Sequence, residues 1–536
     1  VTHDVYGGGA LANTNTANWN ESSNTWAEEK NSDSNTTTIT LTGGTVGNVY
    51  GGALGQHAVG TPGNPGYIAA IEPNVYGDIE ITVNKADGTG RAKFLREYET
   101  HDYMGTYKDA DDNTQTKQVT GTVYTKGNVF GANNKEGTPK GNIQVTVWST
   151  TPIDYDGTGA IKHEYGKYEI QNVYGGGNLS AYVPAEGKAT HVDVHGCDRT
   201  SIQFVFGGGN AASVPETNVT ISGSYEIETV FGGGNGSQPI WSQSQEEWIE
   251  SPGASVTTSN VTLKGGYIHS AFGGSYERGT VDNVNLDKSG TDGECILRVT
   301  DVFGGGKDAD VREDININIS DCTGFGSLVD EGQSTDYIKN VYAGSYNARI
   351  FGNVTMTVTS GVFTNVYGGN HTSGFINGKI TINIEETEAC KPVIIDNLYG
   401  GGNYAAYPGA GAKNDDPKIT INVKAATRIG NIYGGCNHND VTGDTEVNIN
   451  MIKGWWAGRT YNDEAIPNSV GVIGNVYGGG NEGRVIGNTT VNIATEKTVT
   501  LVSTPKNDES AEPVAPPAHL AKGTGPYDVL GAKITR

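Results

Sequence analysis

The sequence predicts an all-β solenoid, a right-handed parallel β-helix of about 12 to 14 coils interrupted by loop insertions. Three observations carry this. An aliphatic-aromatic-glycine phrase recurs from Tyr6 to Tyr477. The residues between phrases alternate β-branched and polar side chains with period two. With 79 Gly, 3 Met and 35% hydrophobic residues, the chain is too poor in apolar matter for a conventional core, whereas a solenoid needs only one inward row per strand.

The phrase reads "NVYGGGN" ending at Asn178 and again at Asn481, "FVFGGGN" ending at Asn210 and "TVFGGGN" ending at Asn235. A phosphate loop would occur once per domain, open a helix and carry Lys-Ser or Lys-Thr. Here the run recurs along the chain and is followed by "GSQPIWSQ" or "AASVPETNVTISG", so it is architectural. Fourteen aromatic anchors open such phrases: Tyr6, Tyr50, Tyr76, Phe130, Tyr174, Phe206, Phe231, Phe272, Phe303, Tyr342, Tyr367, Tyr399, Tyr433 and Tyr477. Their spacings run from 25 to 54 residues, a minimal coil with variable insertions.

Strands fill the unit, as in "TNVTISGSYEIETVFGGGN", "GKITINIEE" and "PKITINVKA", and no stretch has convincing apolar spacing at the helical period. The right hand is expected from crossover geometry and from known members of the fold. Each phrase strand ends on an aliphatic residue such as Val205, Val230 or Val302, expected to be buried, with the aromatic beside it stacking coil on coil. Neighbouring strand residues face opposite ways, so the two rows belong on opposite faces of a regular strand. Glycine is expected to supply positive φ for a sharp turn. Asn stands two residues before many anchors (Asn48, Asn172, Asn475) and four after others (Asn134, Asn178, Asn210, Asn235, Asn403, Asn437, Asn481), where amide ladders are expected.

The repeat region is read as residues 1–502. A Pro-rich linker follows at 503–526, and "YDVLGAKITR" at 527–536 reads as the start of a truncated C-terminal domain or sorting segment. Val1 and the lack of an apolar leader lead to the expectation of a mature, exported product. The formal charge of −24 argues against nucleic acid and anionic membranes, and no run of 18 apolar residues spans a bilayer. Five scattered cysteines do not make a disulfide framework; the one pairing worth testing is Cys295 with Cys322, against buried or stray thiols. Asn-x-Ser/Thr triplets, at Asn218 and Asn260 among others, follow from composition.

Candidate chemistry is sparse, and no catalytic residue is assigned. In "HVDVH" the side chains of His191, Asp193 and His195 share one strand face. Alternate residues lie about 6.5 to 7 Å apart, so a straight strand cannot converge them on one metal ion. The acidic runs Asp109–Asp112 and Lys307–Asp314 read as solvated loops, with Ca²⁺ as the cofactor to consider and no other cofactor implied. Six of the seven tryptophans fall in insertions, where repeat scaffolds carry function. "IWSQSQEEWIE" and "IKGWWAGRTYNDE" combine aromatics with carboxylates, so Trp241, Trp248, Trp455 and Trp456 are the candidate binding residues for a glycan or another surface protein, against the plainer role of sealing their own loops.

The phrases "NVYGGGN", "VFGGGN" and "NVTLKGG" resemble the repeats of large secreted or surface-attached, adhesin-like proteins of anaerobic gut bacteria, over about residues 1 to 500. "YDVLGAKITR" resembles the YDVxGxxI strand of sorting domains at the ends of surface-secreted bacterial proteins. The resemblance implies a bacterial, extracellular or cell-surface protein with an adhesive, structural or glycan- or partner-binding role, and transfers no catalytic residue. The alternative is a polysaccharide-active lyase or hydrolase, since parallel β-helices also host those enzymes. Polygalacturonase-like motifs do not occur in order, and three or more charged side chains from adjacent coils meeting beside a groove would favour the enzyme.

Overall fold

The computed structural model describes residues 3–493 and 533–534, except 16–18, 21, 27–34, 109–112, 160, 290–293, 321–337, 388–391, 452–459, 462–463 and 466–470. Two long parallel sheets run its length. The phrase strands form one, the aromatic sheet, running from Val5–Tyr6 through Ser201–Phe206 to Val472–Tyr477. The "ITINV"-type strands form the other, from Thr37–Leu41 to Thr489–Ile493. Bridges such as Val75 to Pro139 and Val311 to Ile350 to Ile376 add a thin third row between them. The described residues therefore form an all-β parallel solenoid with one coil per strand of the aromatic sheet. At the far end Lys533–Ile534 pairs in parallel with Val472–Ile473 as a further strand of the aromatic sheet.

Register follows the alternation. Val129, Val173, Val205 and Val230 pair directly along the aromatic sheet, and Ile79, Ile143 and Thr190 along the other. Every one of these residues is fully buried. The aliphatic rows of both sheets and the thin row merge into one continuous core.

The aromatics form a second cluster on the opposite face. Thirteen rings from Tyr6 to Tyr477 stack at centroid separations of 4.5 to 5.2 Å, with planes within 15°. The strand spacing of about 4.8 Å sets that separation. Tyr76, expected among the anchors, is absent from the stack. Its neighbour Val75 belongs to the thin row, and the single Gly77 does not build the phrase turn.

Two amide ladders flank the rings, as the Asn spacing predicts. One starts at Asp4, whose carboxylate accepts from Asn48 at 2.9 Å, and continues through Asn128 to Asn172. It stops there, because Phe204 takes the next rung. It restarts at Asp301 and runs through Asn340, Asn365, Asn397 and Asn431 to Asn475. The other joins Asn134, Asn178, Asn210 and Asn235, and farther on Asn403, Asn437 and Asn481. Between those runs the same position holds Tyr276, Lys307, Tyr346 and His371, with Lys307 Nζ 4.5 Å from the Tyr276 ring centre and the Tyr346 and His371 rings stacked at 4.9 Å.

The glycines of the phrase serve a different end from the expected one. None of Gly207, Gly208 or Gly209 has positive φ, nor do their counterparts at 175–177 and 232–234. What excludes a side chain is the neighbouring coil. A Cβ on Gly207 would run into the Gly232 carbonyl oxygen and lie 2.8 Å from Val219 Cγ2 of the opposite sheet. Close approach of the next coil's backbone and of side chains from the opposite sheet, rather than turn stereochemistry, selects glycine here.

The disulfide also differs from expectation. Cys295 pairs with Cys197, not Cys322, at a Cα separation of 5.9 Å. The two come from non-adjacent coils and meet across the corner at Gly223, where a Cβ would press on Cys197 Sγ. Sequence neighbours were the wrong guide because the bridge spans 98 residues. Cys322 and Cys390 lie outside the described residues. Cys436 is a free thiol in the core, pushed up to about 12 by burial.

Two substitutions test this packing. Val230→Asp should cost several kcal/mol, because it places an unpaired charge in the core, and Gly207→Ala should cost about 1–3 kcal/mol by overpacking between coils. Denaturant unfolding measures both. Wild-type stability in either variant would contradict the assigned register.

Candidate functional site

The most elaborate insertion lies between the Tyr76 phrase and the Phe130 phrase. It folds as a long antiparallel hairpin, Glu97–Lys108 against Thr114–Lys126, here called the arm. A second hairpin, Ile240–Ser242 against Glu247–Ile249, sets Trp241 directly opposite Trp248. Their rings meet edge to face at 5.9 Å, and Trp248 stacks on His101 of the arm at 3.7 Å.

Polar contacts fix the arm to the rod. Glu250 accepts from the Thr106 amide at 2.7 Å and its hydroxyl at 2.6 Å, and pairs with Arg278, which also donates to the Thr106 carbonyl at 3.2 Å. At the arm's base Gln238 accepts from the Tyr124 amide at 3.0 Å and donates to the Tyr174 hydroxyl of the ring stack at 3.1 Å. Residues more than a hundred positions apart are thus held as one body. Among the many polar side chains left outside, the apolar and aromatic Tyr98, Met104 and Tyr107 of the arm and Trp241 of the second hairpin are also exposed.

Of the four candidate tryptophans, the structure brings together Trp241 and Trp248 and divides their roles. Trp248 braces the arm while Trp241, 42% exposed, faces solvent. Trp455 and Trp456 lie outside the described residues. The arm itself was missed in the sequence, although "REYETHDYMGTYK" and "TQTKQVTGTVYTK" both alternate in the manner of an exposed two-stranded ribbon.

His191, Asp193 and His195 do not converge. Asp193 accepts from Gln144 of the preceding coil at 2.9 Å, whereas His195 stacks on Trp148 at 4.0 Å and bonds Glu294 at 2.8 Å beside the disulfide. Among the described residues no group of three or more His, Cys, Asp or Glu side chains is placed to hold a metal ion. The acids of the Lys307–Asp314 run link coils: Asp310 pairs with Arg349, Asp308 accepts from Asn347 at 2.8 Å and Asp314 from the Asn353 amide at 2.7 Å. Asp109–Asp112 lie outside the described residues. No helix among the described residues is long and apolar enough to cross a membrane.

Charged side chains from adjacent coils do meet elsewhere. Glu226, buried in the outward face of the aromatic sheet, bonds His269 Nε2 at 2.7 Å and accepts from the Gly166 amide at 2.7 Å. His269 Nδ1 lies 3.3 Å from the Tyr267 hydroxyl. Glu228 accepts from the Tyr168 hydroxyl, and buried Glu169 bonds His163 at 3.3 Å and Thr150 at 3.0 Å. Residues 155–159 and 161–168 roof the cluster, with Tyr165 stacked on Tyr225 at 4.8 Å. The carboxylates are spent largely on holding that loop to three coils.

The bond to Glu226 raises the His269 pKa, and partial burial opposes it. A folded value above the unfolded one, about 6.5, means that the bond's contribution is complete below that pH and is lost as pH rises through the folded value. Titration of the His269 ring by NMR should therefore give a midpoint above the ordinary histidine range, and Glu226→Gln should bring it down. A midpoint at or below the ordinary value in the wild type would refute the pairing.

Comparison with protein families, with curated protein sequences and with solved structures returns no match, so function has to be argued from these sites.

Proposed function

We propose that the chain is a repeat module of an extracellular or bacterial cell-surface protein, built to hold a glycan-binding or partner-binding surface on a rigid rod. The observation that carries this is the braced arm with its tryptophan hairpin, which expose Tyr98, Met104 and Tyr107 on the one and Trp241 on the other, on supports tied to several coils. Exposed rings on a fixed frame give stacking area at low entropic cost, the chemistry of sugar platforms and interface anchors. The Cys197–Cys295 disulfide supports an oxidising compartment, and the charge of −24 supports a soluble surface that avoids anionic partners. The resemblance of the phrases to adhesin-like surface repeats points the same way.

Cleavage of a polysaccharide is the second reading, and one observation favours it. The Glu226–His269–Tyr267 chain connects a buried carboxylate, an imidazole and a hydroxyl, groups that general acid-base catalysis uses.

A polysaccharide panel and candidate surface proteins, presented with and without Ca²⁺, separate the readings. Trp241→Ala should abolish retention on the bound ligand and leave the far-UV β signature intact, since Trp241 is exposed. Trp248→Ala should also release the arm, seen as faster proteolysis between residues 97 and 126. Undiminished retention by Trp241→Ala would refute the platform, and unsaturated or reducing-end product would establish the enzyme instead.

A further inference from the structure

The first amide ladder breaks at one place, and that place is hollow. Each Asn in the ladder donates its amide NH₂ to the oxygen of the preceding coil, so every ladder ends on an oxygen waiting for a donor. At Asn172 the donor never comes: Nδ2 is bonded to Asn128 at 2.7 Å, but Oδ1 is buried without a partner, in a residue 1% exposed. The next rung holds Phe204, whose ring leans on Phe206 and Tyr276 at centroid distances of 6.1 and 6.2 Å instead of continuing the polar row. A buried carbonyl oxygen without a donor costs free energy comparable to a lost hydrogen bond, which makes it unusual in a fold that satisfies its other ladder amides so regularly.

Above this break the arm crosses the aromatic face. Between arm and rod lies a cavity of about 270 Å³, walled by Tyr103 and Tyr124 of the arm and by Phe204 and Tyr276 of the rod, with Asn172 and Glu277 among its polar lining. Burial raises the pKa of Glu277, and the nearby Arg278 and Lys307 act against that shift. The volume falls just under the range of about 300–1,000 Å³ typical of sites for drug-sized ligands, so the space suits one small ring. Its lining combines aromatic walls, the Asn172 amide and the half-buried Glu277 carboxyl.

We propose that this cavity is a binding site for a single neutral sugar ring. A pyranose offers apolar C–H faces to the aromatic walls and hydroxyls to the Glu277 carboxyl, with Asn172 Oδ1 next to the cavity but covered in its present arrangement. A neutral ligand fits better than a charged one. Arg278 and Lys307 already supply positive charge beside Glu277, which disfavours an ammonium, while Glu277 and Asp308 disfavour an acidic sugar. The site is separate from the exposed surface at Trp241 and goes beyond that reading, because its ligand is enclosed beneath the arm rather than stacked on its outside.

The test uses the full chain and three neutral probes, the methyl glycosides of glucose, galactose and N-acetylglucosamine, with methyl glucuronide and n-butylamine as charged controls. Binding is read by calorimetry and by saturation-transfer NMR. At least one neutral glycoside should bind saturably, and neither control should bind as well. Phe204→Asn restores the missing rung, so it should satisfy Asn172, preserve or raise the melting temperature and weaken sugar binding by about tenfold or more. Glu277→Ala should weaken it independently, which keeps the test decisive if Phe204→Asn does not fold. Trp241→Ala should leave it unchanged, so failure of the outer platform and failure of the cavity are told apart. Absence of binding by every neutral probe, preference for butylamine or glucuronide, or unaltered affinity in both cavity variants would overturn the proposal.

Discussion

Everything in this molecule depends on the spacing of parallel strands. Coils repeat at about 4.8 Å, so whatever residue stands at a position meets its counterpart at that distance one coil on. Only side chains that tolerate their own kind at such a separation can occupy a row. Aromatic rings do, lying flat on one another along the stack from Tyr6 to Tyr477. Primary amides do as well, since each carries both a donor and an acceptor. Carboxylates do not, which is why Asp4 and Asp301 stand only at the heads of the ladders, where an acceptor alone is needed.

The same spacing explains the glycines. Where the chain leaves the aromatic sheet, the backbone of one coil lies against the carbonyl of the next and against side chains from the opposite sheet, as at Gly131 beside Gly175 and Ile143. No room is left for Cβ. Stability is then distributed along the rod, with each coil depending on its two neighbours. Such a scaffold absorbs insertions at its corners without disturbing the rows. The arm, the tryptophan hairpin and the roof over Glu226 use that freedom, and each is tied back by polar contacts between residues distant in sequence, as Thr106 is to Glu250.

Regularity also makes interruptions informative. The ladder breaks at Phe204, and the second Asn row gives way to Tyr276 and Lys307; Phe204 and Tyr276 both line the cavity beneath the arm. In a structure so constrained by repetition, a rung that abandons the repeat and leaves an amide oxygen unsatisfied marks a place where something other than coil stacking is being selected.

The sequence by itself determined the repeat, the strands and the two faces. Val205 beside Phe206 is enough to place one inward and one outward, because side-chain direction alternates along a strand, and the spacing of Asn178, Asn210 and Asn235 is enough to predict a ladder, because equivalent positions in successive coils must stack. Those are local rules, and locality made them legible. Tyr76 misled because its phrase lacks the second glycine, and only the path of its coil showed Val75 in the thin row. The tertiary structure alone decided the rest: that Cys295 meets Cys197, that phrase glycines answer to a neighbouring carbonyl rather than to positive φ, and that Trp248 rests on His101. Each depends on how insertions of unequal length fold back across several coils, and that path is set by contacts between residues up to 172 positions apart, which no periodicity records.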